Sequence, residues 1–392
     1  MKQRLDGLAV FRELLKDGAV AAFRELLQDC CRNDADNFVS HCGEFESLLF
    51  QQSDCWTAYL RRAVMESENV CIRNWASGAV TAVQEECLNR ELVFLDRLSQ
   101  VTLDDLTAGL DHAPDFLVGW RTEGGSIAQD YRQRMQEVGE KGYGIFARYH
   151  MFTVENGQLV PVKHPDPQQL EQLPGYEQER QKVIANTQAL LDGKPANNVL
   201  LYGDAGTGKS SAIKAIANNF AEQGLRLVEV KKNQLYQIPD LIDALAANPL
   251  KFILFIDDLS FTSNDDNFAA LKAILEGSVG GRAQNIAVYA TSNRRHLIKE
   301  TMTDRNGDDI HESDTRQELM SLSARFGLTV TFASPDRDRY LYIVGELAKQ
   351  YGVDLDEHTL AVRSEAFAIR MGGRSARVAK QFIELCKSGV QV

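Results

Sequence analysis

Apolar residues recur at intervals of three and four along residues 1–140, which is the spacing of amphipathic helices. Phe11 and Leu14 lie on one such helical face, and longer helical stretches are predicted at 44–65 and 77–98. No residues in this region have a spacing typical of catalysis. We therefore expect a mostly helical N-terminal domain that binds a partner or has a regulatory role.

A different pattern follows the helical region. Short apolar runs flank Asn156 and Gly157, a pair typical of two-residue hairpin turns. Pro165 and Pro167 come next and indicate a linker. The sequence therefore predicts a hairpin and linker over 141–166, with the domain boundary at the two prolines.

In the rest of the chain, apolar runs alternate with helical patterns. The predicted strands are 199–202, 226–230, 252–256, 286–293 and 328–332. The first predicted helix opens at 173–177 and runs through 184 to 191, and the others are 212–217, 241–245, 336–351, 356–371 and 374–387. Five consecutive apolar residues at 252–256 are typical of a parallel strand that is buried on both faces. The charge-rich stretch 294–315 is interpreted as a solvated insertion.

A glycine-rich loop separates the strand at 199–202 from the helix at 212–217. It fits the phosphate-binding pattern G-x-x-x-x-G-K-S, in which backbone N–H groups and the helix N-terminus face an anion. The predicted binding segment is Gly203, Asp204, Ala205, Gly206, Thr207, Gly208, Lys209, Ser210 and the adjacent Ser211. We expect Lys209 to reach the β- and γ-phosphates of ATP, and the Ser210 hydroxyl to ligate Mg²⁺.

Polar residues end two of the predicted buried strands. Asp257 and Asp258 follow the strand at 252–256, at the end where α/β sheets place their ligands. In this Walker B pattern, Asp257 is predicted to hold Mg²⁺, and Asp258 to orient and polarise the attacking water. Asn293 ends the strand at 286–293 and is predicted to hydrogen-bond the γ-phosphate or the water. A simple strand cap is the alternative for Asn293.

Composition and charge narrow the class of protein. The 392-residue chain has a net charge of −12, which argues against a large basic nucleic-acid surface but does not exclude a local one. Its seven cysteines form no C-x-x-C pair, and His41 is a lone histidine. Neither a signal peptide nor an apolar run of about 20 residues is visible. These features predict a reduced, cytoplasmic protein.

Together, these motifs resemble those of AAA+ ATPases, and residues 143–386 resemble a bacterial AAA+ family of unknown function. The words that carry the second resemblance are PANNVLLYG at 195–203, FIDDLSF at 255–261, ATSNRRHL at 290–297 and SARFGL at 323–328. The resemblance implies an α/β domain over 167–333, with a parallel sheet flanked by helices. It also implies a helical lid over 334–392.

The resemblance also implies roles for individual residues. Asn293 matches the first sensor, and Arg325 matches an arginine finger that enters the site of a neighbouring subunit. Arg374 matches the lid arginine that senses nucleotide, with Arg377 as the reserve candidate. AAA+ proteins usually end Walker B in Asp-Glu, whereas this chain has the shorter Asp258, so we expect hydrolysis that is either slow or helped by another group.

Before the first strand of the sheet, P-loop ATPases often pack a segment on the adenine. Tyr176 is the candidate for this contact, although it fits a core aromatic equally well. The resulting hypothesis is an ATPase that hydrolyses ATP with Mg²⁺ in a homo-oligomer, to drive assembly or remodelling of an unidentified protein partner. The alternative is a slowly hydrolysing, ATP-gated binding module. A role in nucleic-acid binding stays open, and no membrane contact is expected.

Overall fold

The computed structural model describes residues 1–108, 110–111, 116–259, 270–272, 274–275, 283–293 and 325–390. The chain divides into two units, Met1–Arg148 and Tyr149–Val392. This division falls ahead of the predicted hairpin, whereas the sequence placed the boundary at Pro165 and Pro167. The predicted insertion at 294–315 lies outside the described residues.

Helices make up the first unit. They are α1 (Lys2–Asp6), α2 (Gly18–Arg32), α3 (Ala35–Phe50), α4 (Trp56–Glu66), α5 (Val70–Trp75), α6 (Ala82–Ser99), α7 (Leu103–Thr107), α8 (Ile127–Gln136), α9 (Val138–Lys141) and α10 (Ile145–Arg148). The single stretch predicted at 44–65 is two helices, α3 and α4. The chain breaks between them because the Ser53 hydroxyl accepts from the Cys55 N–H at 3.0 Å, which replaces a helical hydrogen bond.

Four aromatic rings form the centre of this unit. Phe23 stacks on Trp56 with ring centroids 4.7 Å apart, and Phe45 meets Trp120 edge to face at the same distance. Each indole N–H donates to a backbone carbonyl at 2.9 Å, Trp56 to Leu98 and Trp120 to Val101. Burial of these rings therefore leaves neither indole N–H unpaired.

The second unit is built on a seven-stranded sheet with the order β2-β1-β4-β5-β6-β3-β7. Its strands are β1 (Met151–Glu155), β2 (Gln158–Pro161), β3 (Val199–Gly203), β4 (Leu225–Glu229), β5 (Lys251–Ile256), β6 (Ile286–Ser292) and β7 (Leu328–Phe332). Only the β1–β2 contact is antiparallel among the strands described, and Asn156 and Gly157 form its turn with positive φ. β1 also pairs with β4 in parallel, so the hairpin extends the sheet and is not part of a linker.

Helices accompany this sheet and follow it. They are α11 (Glu177–Leu191), α12 (Lys209–Asn219), α13 (Ile238–Ala246), α14 (Arg337–Tyr351), α15 (Glu357–Arg370) and α16 (Ala376–Lys387). The last three pack on one another around Tyr340, Phe367 and Phe382. β5, β6 and β3 are parallel neighbours, so their carboxyl ends meet at one edge of the sheet.

Candidate functional site

The loop between β3 and α12 has a backbone that only glycine tolerates at its ends. Gly203 has φ 143°, and a Cβ there would overlap the carbonyl oxygen of Phe332 on β7. Gly208 has φ 90° and forms the N-cap of α12. These two glycines turn the chain sharply from strand to helix, so the loop curls around the N-terminus of α12.

Lys209 is the first residue of α12 and is only 5% exposed. Its ammonium donates to the carbonyls of Gly203 at 2.9 Å and Asp204 at 2.7 Å, and to Asn293 Oδ1 at 3.0 Å. Burial lowers the pKa of this ammonium, while Asp204, Asp258 and Asp257 oppose that shift. The loop therefore holds a cation in place at its centre, where a phosphate group would meet it.

Oxygen ligands suited to Mg²⁺ lie beside this ammonium. The Ser210 hydroxyl donates to Asp257 Oδ1 at 2.6 Å, and both side chains line the same cavity. Among the described residues, no group of three or more His, Cys, Asp or Glu side chains is placed to hold a metal. A hydroxyl and one carboxylate fit Mg²⁺, which usually takes one or two protein oxygens together with substrate phosphates and water.

Asp258 reaches the cavity because its backbone is left-handed, with φ 50°. Successive side chains of a regular strand point to opposite faces, so two consecutive acids would normally diverge. β5 ends at Ile256, and the turn at Asp258 lets both Asp257 and Asp258 line the cavity. Asn293 Nδ2 donates to Asp258 Oδ1 at 2.7 Å, so Asn293 connects Lys209 to Asp258.

The cavity has a volume of about 480 Å³, within the usual range of small-molecule sites. Besides the glycine-rich loop between β3 and α12 and the acids Asp257 and Asp258, the cavity lining contains apolar side chains and two basic side chains of α16. These further lining residues include Leu173, Pro174, Ile343, Leu347, Arg377 and Lys380. A polar region for phosphates and an apolar region for a base are therefore both present.

Tyr176 lines this cavity and is also a core residue, only 2% exposed. Its ring stacks on Phe332 with centroids 5.2 Å apart, and the Arg339 guanidinium lies 4.8 Å from the ring centre. The Tyr176 hydroxyl donates to the Ala333 carbonyl at 2.7 Å, and burial raises the pKa of this phenol to about 12. Tyr176 is therefore a core aromatic that also lines the cavity, so the two alternatives from the sequence, a core aromatic and an adenine contact, are compatible.

The positions of Arg374 and Arg377 differ from the expectation. Arg374 forms a fork with Glu365, with contacts of 2.9 and 2.6 Å, and this hydrogen bonding lowers the pKa of Glu365. Arg374 is not among the cavity-lining residues, whereas Arg377 is. The Arg377 N–H also donates to the Gly206 carbonyl at 3.0 Å. The structure therefore brings Arg377, and not Arg374, to the cavity, because Glu365 holds the Arg374 side chain.

Arg325, which the sequence analysis singled out, and Thr291, which it did not, differ in whether they line the cavity. Arg325 does not line the cavity of its own chain, so its role as a finger stays a prediction. Thr291 lines the cavity and was not anticipated. The strand period gave a signal for it, because Thr291 lies two residues before Asn293 and so shares its face.

The family described as "Protein of unknown function (DUF815)" matches residues 146–390. No protein of curated function matches. Among solved structures, a variant of RuvB from Thermotoga maritima is similar with a TM-score of 0.37 and 18% identity, over 57% of this chain and 66% of that one. The chain thus covers just under two thirds of that structure. No helix in the described part of the chain is long and apolar enough to cross a membrane.

Proposed function

Since this chain belongs to the family described as "Protein of unknown function (DUF815)", we propose its function from the site itself. The protein is an AAA+ ATPase that binds ATP with Mg²⁺ and hydrolyses it to ADP and phosphate. One observation carries this proposal. Lys209, Asn293 and Asp258 form a continuous hydrogen-bonded chain, which lines the same cavity as the Ser210–Asp257 pair.

Each residue of this site has a distinct role in the proposed reaction. Lys209 and the N–H groups at the start of α12 bind the β- and γ-phosphates. Ser210 and Asp257 would hold Mg²⁺, which would neutralise charge on the phosphate oxygens. Asp258 orients a water molecule and accepts its proton, and Asn293 fixes the Asp258 carboxylate.

The shorter acid affects the expected rate. Asp258 has one methylene fewer than the glutamate usual at this position in AAA+ proteins. Its carboxylate is drawn to Asn293 by a 2.7 Å hydrogen bond. A positioning error of about 1 Å can cost roughly 100-fold in rate. We therefore expect a low rate of ATP hydrolysis.

The assembly is also part of the proposal. The Arg325 guanidinium would stabilise charge on the γ-phosphate in the site of a neighbouring copy, which requires a homo-oligomer. Nucleotide-dependent assembly would then act on a protein partner held by the helical unit Met1–Arg148. The net charge of −12 favours a protein over a nucleic acid as that partner.

A second candidate function is an ATP-gated binding module that hardly hydrolyses. The observation that favours it is Asp258 itself, which is short and already engaged by Asn293. Such a module would bind ATP, assemble and recruit its partner without rapid turnover.

Steady-state phosphate release at saturating Mg²⁺ and ATP separates the two functions. We expect release by the wild type and losses in both Lys209→Ala and Arg325→Ala. Mixing these two variants should restore part of the activity, because one supplies an intact site and the other an intact finger. Turnover near zero in the wild type that rises in Asp258→Glu would favour the binding module. Failure of the mixture to recover would contradict a finger acting between subunits.

A further inference from the structure

We propose that Thr291 is a positioning residue that fixes both acids of the site at once. This inference rests on the proposed function, because it concerns how the Mg²⁺ ligand and the water-orienting acid are held. Thr291 belongs to β6, next to the end of β5 in the sheet. It is only 2% exposed, yet it lines the cavity.

Three hydrogen bonds connect Thr291 to three consecutive residues. Its hydroxyl donates to Asp257 Oδ1 at 2.5 Å and accepts from the Asp258 N–H at 2.9 Å. Its carbonyl accepts from the Leu259 N–H at 2.7 Å. A hydroxyl has one proton to donate and lone pairs that accept, so this one group can serve both acids.

The contacts of Asp257 show that the Thr291 hydroxyl helps to fix its carboxylate. Asp257 Oδ1 accepts from Ser210 at 2.6 Å, from Thr291 at 2.5 Å and from the Asp258 N–H at 3.1 Å. These donors converge on one oxygen of the carboxylate and so fix its orientation. Groups that orient a metal ligand in this way tune metal affinity without touching the metal.

The backbone of Asp258 shows why the second bond matters. A left-handed φ of 50° is unfavourable for a residue with a side chain. This conformation nevertheless brings Asp258 into the cavity beside Asp257. The Thr291 hydroxyl holds the Asp258 N–H in this turn, and Asn293 holds its carboxylate. Thr291 therefore supports the turn from the strand, and Asn293 supports the acid from the cavity.

A Mg²⁺ titration tests this role. The readout is binding of a fluorescent ATP analogue to the full chain, measured over a series of Mg²⁺ concentrations and in excess chelator. In Thr291→Val, we expect the Mg²⁺ concentration at half-saturation to rise about 10- to 100-fold, the range for lost orienting partners. Thr291→Ser keeps the hydroxyl and should stay within about threefold of the wild type. Binding in excess chelator should be the same in all three proteins.

Thr187 provides a matched control for the loss of a buried threonine hydroxyl. It is fully buried, and its hydroxyl contacts the Val183 carbonyl and the Tyr289 hydroxyl at 2.9 Å each. It does not line the cavity. Thr187→Val should therefore lower thermal stability while leaving Mg²⁺ half-saturation unchanged.

The outcomes separate this inference from the function on which it rests. Thr291→Ala also removes the hydroxyl and must give the same rise, so the test survives if the valine variant does not fold. Wild-type half-saturation in a folded Thr291→Val or Thr291→Ala protein would overturn the inference while the ATPase proposal stands. A wild type that binds no nucleotide with Mg²⁺ would overturn both.

Discussion

The two units of this chain use buried polar groups for different ends. In the first unit, Glu91 is only 8% exposed, and its carboxylate accepts from three consecutive backbone N–H groups. The donors are Ala9 at 2.7 Å, Val10 at 3.1 Å and Phe11 at 2.9 Å. This carboxylate fastens the N-terminal chain to α6, and its hydrogen-bonding capacity is used within the protein.

In the second unit, the buried Lys209 and two exposed acids meet at a cavity. Lys209, Asp257 and Asp258 bond to neighbouring groups and also line a space of about 480 Å³. Burial of a charged group is therefore not by itself a sign of function. The difference is that Lys209 shares one cavity with other charged groups, next to a backbone loop whose N–H groups can bind an anion. Variants in the first unit should therefore change stability, and variants in the second unit should change ATP binding or hydrolysis.

The largest expected effect is on catalysis in the second unit. Asp258→Asn keeps the oxygen that accepts from Asn293 but removes the proton acceptor. We expect phosphate release to fall about 10²- to 10⁴-fold, the usual contribution of a general base, with ATP binding nearly unchanged. Single-turnover hydrolysis and equilibrium binding on the same preparation check both parts. A variant that hydrolyses as fast as the wild type would remove Asp258 from the reaction.

The next effect is on stability in the first unit. Glu91→Gln places an NH₂ group against backbone donors, and we expect a loss of about 1–3 kcal/mol in the free energy of unfolding. All three tryptophans, Trp56, Trp75 and Trp120, lie in this unit, so tryptophan fluorescence in urea reports on it selectively. Glu85→Gln on the same helix is the exposed control. ATP affinity should stay within about twofold, and a larger change would break the contrast between the units.

A smaller effect distinguishes Arg374 from Arg377. Arg377 lines the cavity, so Arg377→Ala should weaken ATP binding about fivefold, which corresponds to roughly 1 kcal/mol for an exposed charge. Arg374 is held by Glu365, so Arg374→Ala should change ATP affinity less than twofold. Both affinities can be measured by calorimetry. The reverse ranking would restore Arg374 as the nucleotide-sensing arginine.

The smallest effect is a pH dependence in the first unit. A hydrogen bond from His41 to Asp29 at 2.6 Å raises the pKa of His41 above its ordinary value of 6.5. The resulting stabilisation is fully present below about pH 6.5 and is lost as pH rises through the higher, folded-state pKa. Urea unfolding by tryptophan fluorescence should show this decline in the wild type. The same decline in His41→Gln would exclude the pair as its cause.

Local patterns predicted much of the second unit. Continuous apolar runs located β3, β5 and β6, because a strand that is buried on both faces leaves little choice of residue. The P-loop motif identified the turn at Gly203, since the neighbouring Phe332 backbone leaves no room for a side chain. The Asn156–Gly157 pair identified the hairpin because its turn needs positive φ.

Properties that depend on distant contacts were beyond such patterns. The pairing of β1 with β4 joins segments about 75 residues apart, so the hairpin's place in the sheet was not visible. The sequence favoured Arg374 over Arg377, and the contact of Arg374 with Glu365, which holds its side chain, was not visible in the sequence. Likewise, the role of Thr291 depends on the adjacency of β5 and β6.

Calorimetric titration of ATP into the full chain in Mg²⁺, for the wild type and Lys209→Ala, tests the central claim most directly. If the cavity is the nucleotide site, the wild type binds one ATP per chain. Lys209→Ala should then bind about 10- to 100-fold more weakly, as expected for loss of a charge-assisted hydrogen bond. Equal affinities in the two proteins, or no binding by the wild type, would contradict the assignment.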